Sequence, residues 1–207
     1  MGLYIFSYGV DLQQVRQLFA SKDEAAFQAI QATEAFDNYA DQDSDDSVST
    51  EEALRQIIYG EPYDAKSAES YGYALICICD YVGVNLSDDG IDFKLGYVTD
   101  LLDEYLGSDF DVPDFLATNT FFDGDLNLGL PVIEDTPIIG VMPDADLDML
   151  HQGLQSFSTT DEEIAKWLKS STRQEEDKGV AYETIKVLKK QVDYCKEHGV
   201  QLVSYCH

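Results

Sequence analysis

The chain has 207 residues, 44% apolar and 12% aromatic, enough to build a core, so it is not a disordered polymer. Its 40 acidic residues against 13 basic ones give a formal charge of −27, which argues against binding DNA, RNA or an anionic membrane surface, because attraction to phosphate supplies most of that affinity and is here reversed. No apolar run reaches the roughly 18–20 residues of a membrane helix, and Met1–Phe6 carries neither a basic n-region nor a small-residue cleavage site, so no signal peptide is read there.

Residues 3–8, rich in aromatic and branched side chains, predict a strand. Asp11 then opens a short helix with Leu12, Val15, Leu18 and Phe19 on one side. Ser21-Lys22-Asp23-Glu24 reads as a capping box for a second helix, with Ala26, Phe27, Ile30 and Phe36 inward. Ser49-Thr50-Glu51-Glu52 is another such box; its helix buries Leu54, Ile57 and Ile58 and is stopped by Gly60 and Pro62. Residues 67–82 predict the most apolar helix, with Tyr71, Ala74, Leu75, Ile78 and Tyr81 on one face and Ile76, Cys77 and Cys79 on others, so it belongs at the centre.

Residues 92–106 follow with Phe93, Tyr97, Val98, Leu101, Leu102 and Tyr105 at helical spacing. Residues 107–135 show no clean period and read as a long, partly ordered connection. A strand is expected over 137–142, with Pro137 at its start. Asp144 is expected to cap a helix carrying Leu147, Leu150 and Leu154, and Thr160–Glu163 one carrying Ile164, Trp167 and Leu168. A last helix from 176 to His198 turns Ile185, Leu188, Val192 and Cys195 inward; Gly199 closes it, and residues 200–205 form a final strand. The expectation is one α+β domain over residues 1–207: a small central sheet containing both terminal strands, covered by a majority of helices.

The charge is uneven. Residues 1–160 hold five Lys/Arg against 31 Asp/Glu, a net of −26, whereas residues 161–207 come to −1. Residues 34–52 carry eight acids and no base, and residues 88–125 carry eleven acids against Lys94. Such a surface is either a solubilising coat or a face built to meet something basic; the self-repulsion it costs invites the second reading.

The sharpest motif is Asp41–Glu52. It places Asp at loop positions one, three and five, Ser at nine and Glu at twelve, the ligand order of a helix–loop–helix calcium site. Position six is Asp46 where the turn needs Gly, no second hand is present, and Ser49 and Glu52 are explained as a cap, so the stretch is read as linker plus cap. Cys195-x-x-His198 with Cys206-His207 offers soft-metal ligands, but Cys195 falls on an apolar face and His198 in a final helical turn, where it suits the dipole. No metal and no cofactor is therefore expected. No Gly-x-Ser-x-Gly or glycine-rich phosphate loop occurs, and the lone helical His151 reads as a surface or packing residue, so no catalytic residue is assigned. The four cysteines read as reduced thiols in a cytoplasm.

The opening Met1–Asp11 (MGLYIFSYGVD) is similar to the start of uncharacterised bacterial proteins related to the YfbM-like family. Tyr71-Gly72-Tyr73-Ala74-Leu75, the strand–helix at 137 onward and the closing helix–Gly–strand resemble that group too. The resemblance implies a compact α+β fold in a bacterial cytoplasm and carries no activity.

Thirteen tyrosines, several among acids, are either core residues with wet hydroxyls or anchors of an interface. The expected function is an acidic protein-binding module, an immunity protein or inhibitor that neutralises a basic partner such as a toxin. The expected contact residues are Asp100, Asp103, Glu104, Tyr105, Asp109, Asp111 and Asp114. The alternative is an enzyme or calcium-binding protein using a carboxylate cluster.

Overall fold

Strand β1 (Tyr4–Val10) alternates its side chains, sending Phe6, Tyr8 and Val10 to one face of a sheet and Ile5, Ser7 and Gly9 to the other. The computed structural model of the chain describes residues 3–40, 48–87, 93–112, 116–122, 124, 126–133 and 137–207. Asp11 caps α1 (Leu12–Leu18) by accepting from the Gln13 N–H. Helix α2 (Glu24–Gln31) is capped by Asp23, not by the box expected at Ser21. Ala20 and Lys22 sit at positive φ, and their N–H groups donate to the Ile57 and Ile58 carbonyls. That turn delays the helix start, so Ser21 Oγ is left to accept from the Asp23 N–H.

Helix α3 (Glu34–Tyr39) is an element the sequence pattern did not reveal, and it rather than α2 carries the buried Phe36. Helix α4 (Thr50–Tyr59) starts at Ser49 as expected, and Gly60 ends it at a left-handed φ of 68°. Only half of the expected capping box forms, because the Glu52 carboxylate turns to Arg55. Helix α5 (Ala68–Val82) is buried continuously from Ser70 to Cys79, as a helix apolar on most sides should be; Tyr81, expected inward, is 41% exposed.

Two-residue strands β2 (Val84–Asn85) and β3 (Phe93–Lys94) follow, so Phe93 belongs to the sheet rather than to the helix expected from residue 92. That helix, α6, runs Tyr97–Asp109 after Gly96, whose φ of 97° excludes a side chain; Tyr97, expected inward, is 46% exposed. Within the expected connection lies a short helix, α7 (Ala117–Thr120). Then come β4 (Ile138–Val141), α8 (Asp144–Gly153), α9 (Asp161–Leu168), α10 (Arg173–His198) and β5 (Gln201–Cys206). Pro143 rather than Asp144 precedes α8, while Thr160 and Glu163 close the expected box on α9.

The sheet is antiparallel, in the order β2-β1-β5-β4, with β3 also on β1. The first and last strands pair at its centre, from Ile5↔Cys206 to Val10↔Gln201. Helices α1–α5 cover the face of Tyr8, Val10, Val203 and Tyr205, and α6 with α8–α10 cover the face of Ile5, Leu202 and Cys206. Each layer is stitched by fully buried Leu and Ile side chains, each contributing about 1.5–3 kcal/mol. No helix among the described residues is long and apolar enough to cross a membrane.

Candidate functional site

Helix α6 presents the acids singled out in the sequence, and the structure divides them into two groups. Asp103 is half-buried and accepts the Ala117 N–H at 2.7 Å, fastening the start of α7. Burial, opposed by that bond and reinforced by Asp100, raises its pKa. Asp109 accepts from the Tyr182 hydroxyl at 2.6 Å and lies 3.7 Å from Lys178. The Tyr182 bond, with Ser108 and Lys178, lowers its pKa, and Lys178 in turn lies over the Trp167 and Tyr182 rings. Tyr105 leans edge-on against Tyr182 and is half-buried. Tyr105 and Asp109 thus hold α6 onto α10, and Asp103 holds the start of α7 onto α6.

Asp100, Glu104 and Asp111 form the second group. All three are exposed, and no ion pair joins them to a described residue. Asp100 and Glu104 are four residues apart on one helix face, a like-charge spacing that costs a few tenths of a kcal/mol. Exposed Tyr97 begins the same helix and donates to Asp177. Asp114 lies outside the described residues.

The other helices of the same layer, α8–α10, carry ion pairs. Lys186 bonds Asp161, Lys189 bonds Asp193, Lys196 bonds Asp148, and Arg173 reaches Asp177. The bases of residues 161–207 thus pair with acids of α8–α10, whereas from residue 95 to 165 the chain has sixteen Asp/Glu and no Lys or Arg.

Sequence reasoning missed a chain of phenols beneath α3 and α5. Tyr39 Oη lies 3.0 Å from Tyr205 Oη and 3.4 Å from His207 Nε2. The Tyr8 ring stacks on Tyr205 at 5.8 Å, and the Asp80 charge bears on both phenols. Burial is the chief cause that raises the pKa of all three phenols. Phe6 stacks on Tyr205 at 5.2 Å and Tyr39 on Tyr73 at 5.4 Å. Period-two alternation places Tyr8 and Tyr205 on one sheet face, but the hydroxyl contacts depend on α3, which had no visible signature.

The candidate metal ligands do not converge. Cys195 and Cys206 are buried in the α10-side core, His198 stacks on Tyr194 at 4.0 Å, and His207 lies on the opposite sheet face against Tyr205. Among the described residues no group of three or more His, Cys, Asp or Glu is placed to hold a metal ion. Residues 41–47 of the calcium-like loop lie outside the described residues; Glu52, its twelfth position, pairs with Arg55, which holds its carboxyl below the usual range. Burial pushes the Cys77, Cys79 and Cys195 thiols up to about 12, so they are poor nucleophiles.

The chain belongs to a family described as a domain of unknown function (DUF7691), whose model matches residues 1–207. No curated protein and no solved structure matches it.

Proposed function

We propose that this member of the family is an acidic protein-binding module that neutralises a basic partner, in the manner of an immunity protein blocking a toxin. The observation that carries the reading is the base-free stretch 95–165, whose α6 acids Asp100 and Glu104 face solvent on a like-charged helix face with no ion-pair partner among the described residues. Opposite fields accelerate encounter and suppress wrong partners. Asp103, Asp109 and Tyr105 serve this surface by fixing α6. Kinship with the YfbM-like group, a bacterial origin and a cytoplasmic setting complete the proposal; they rest on the opening and closing motifs and on buried, free cysteines.

The test is stopped-flow association with the product of the neighbouring reading frame at two salt concentrations. The variant is Asp100→Asn/Glu104→Gln/Asp111→Asn. Asp111 has a φ of 54°, which Asn tolerates, so the backbone is kept. Rim charges act through association rate, so the variant associates more slowly at low salt and its salt dependence flattens. Equal rates would make the surface a solubilising coat. A neighbour that does not bind the parent removes the immunity reading.

A further inference from the structure

Helix α10 places Lys178 and Tyr182 one turn apart, so their side chains meet on one face. Gly179 lets α9 close in on α10, since a Cβ there would stand 2.8 Å from the Leu168 backbone nitrogen. That approach brings Trp167, the residue before Leu168 and the chain's only tryptophan, edge-on to Tyr182 with ring centroids 5.1 Å apart. Lys178 Nζ lies over both rings, 4.8 Å from the centre of Trp167 and 4.9 Å from that of Tyr182. Tyr182 is buried, and Tyr105, Phe110 and Phe157 pack around its ring and fix it. Asp109, at the end of α6, completes the enclosure by accepting from the Tyr182 hydroxyl at 2.6 Å.

Two features say what this cage would hold. The first is its occupant, an ammonium: aromatic faces beside a carboxylate are the chemistry that holds a cation. The second is how loosely that ammonium sits. Lys186, Lys189 and Lys196 each bond a carboxylate directly. Lys178 instead stands 3.7 Å from Asp109 Oδ2, whose close partner is the Tyr182 hydroxyl, and its side chain is 33% exposed. Exchanging one cation for another leaves the charge of the site unchanged, so the carboxylate is never left alone. A guanidinium is the better occupant. It is flat, stacks on an indole face, is more weakly hydrated than an ammonium, and extends a fork of donors toward the carboxylate from which Lys178 stands off.

We propose that the cage of Trp167, Tyr182 and Asp109 is the anchor site for an arginine of the basic partner, and that Lys178 holds its place in the free protein. The arginine enters over the rings, its guanidinium meets Asp109, and the Lys178 ammonium moves into the water to which its side chain is already open. The cage lies at the C-terminal end of α6, whose exposed Asp100 and Glu104 attract the partner from a distance, and exposed Asp111 follows two residues on. This rests on the proposed function and adds to it the contacts that set dissociation rather than encounter.

The experiment follows Trp167 fluorescence in the full chain at low salt during addition of acetyl-Gly-Arg-Gly-amide, or of the same tripeptide with citrulline, which keeps the shape and loses the charge. The arginine peptide is expected to change the emission saturably, and the citrulline peptide to bind about ten-fold or more weakly. Lys178→Ala vacates the cage. A lysine that holds the site about nine-tenths of the time lowers the apparent affinity about ten-fold, so its removal tightens the arginine peptide by that factor. Lys178→Gln, uncharged and similar in length, repeats the measurement if the alanine variant does not fold. Unchanged affinity in the variants would overturn Lys178 as the occupant that a partner displaces. Equal binding of the two peptides would make the rings a general stacking surface and overturn the cation. No saturable change in the parent or either variant would overturn the cage and leave the proposed function to the association rates of the α6 variant, in which the cage is untouched.

Discussion

Ser7 and Ser204 face each other across the two central strands, their hydroxyls 2.8 Å apart and shielded from solvent on the α10 side of the sheet. Each hydroxyl is satisfied by the other, so their contributions are coupled. Ser7→Ala strands the Ser204 hydroxyl and is expected to cost about 1–3 kcal/mol, as is Ser204→Ala, while the double variant costs less than the sum. Urea unfolding of the four proteins of the cycle measures the coupling; additive losses would show that the two hydroxyls do not depend on each other.

A second prediction concerns alkali. Tyr8, Tyr39 and Tyr205 ionise above their ordinary range, and Cys77, Cys79 and Cys195 are pushed up to about 12. The unfolded chain releases these protons near about 8.5 for Cys and about 10 for Tyr. The folded state therefore holds protons that the unfolded state has lost. Stability is full below about pH 8.5 and falls as pH rises, by about 1.4 kcal/mol per pH unit for each thiol from there and for each phenol above about pH 10. Urea midpoints at about pH 8 and about pH 10.5 check this, alongside tyrosinate absorbance. An unchanged midpoint would mean that the phenols and thiols ionise freely in the folded protein.

Gly140 supplies a third. A Cβ there would stand 2.4 Å from Phe122 Cα and 2.6 Å from Phe122 O, both backbone atoms that cannot swing aside. Gly140→Ala is expected to destabilise by about 1–3 kcal/mol and to raise hydrogen exchange at the Val141 amide, which bonds Gly124. Normal protection of Val141 in the variant would contradict it.

Asp103 supplies a fourth, separating structure from function within the acidic helix. Asp103→Asn keeps an acceptor for the Ala117 N–H and removes a half-buried charge, so stability should hold or rise. Asp103→Ala loses the acceptor and is expected to cost about 0.5–2 kcal/mol. Thermal melts compare the two; an equal loss in both would give the charge, not the bond, the structural role.

The strands over 3–8, 137–142 and 200–205 and the helix over 67–82 were legible because each follows a clear period or an unbroken apolar run. Strands β2 and β3 were not, since two residues show no alternation and β1 alone recruits them. Helix α3 hid because its first turn adjoins the acid-rich run from Glu34 onward, which reads as linker. The acids of α6 were legible as charge but not as individuals. Nothing near Asp109 in sequence announces Tyr182, its partner across 73 positions, and nothing near Asp103 announces the Ala117 amide.

The pairing of β1 with β5 also orders events in time. Ser7 and Ser204 are 197 positions apart, and β5 lies between β1 and β4. Neither strand can find its central neighbour until almost the whole stretch between them has left the ribosome. Contacts of such long sequence separation make closure of the sheet slow and late. Until then the emerging chain carries the bare edges of β1 and β4 on its own, and its like charges keep those edges from meeting the same strands of another nascent chain.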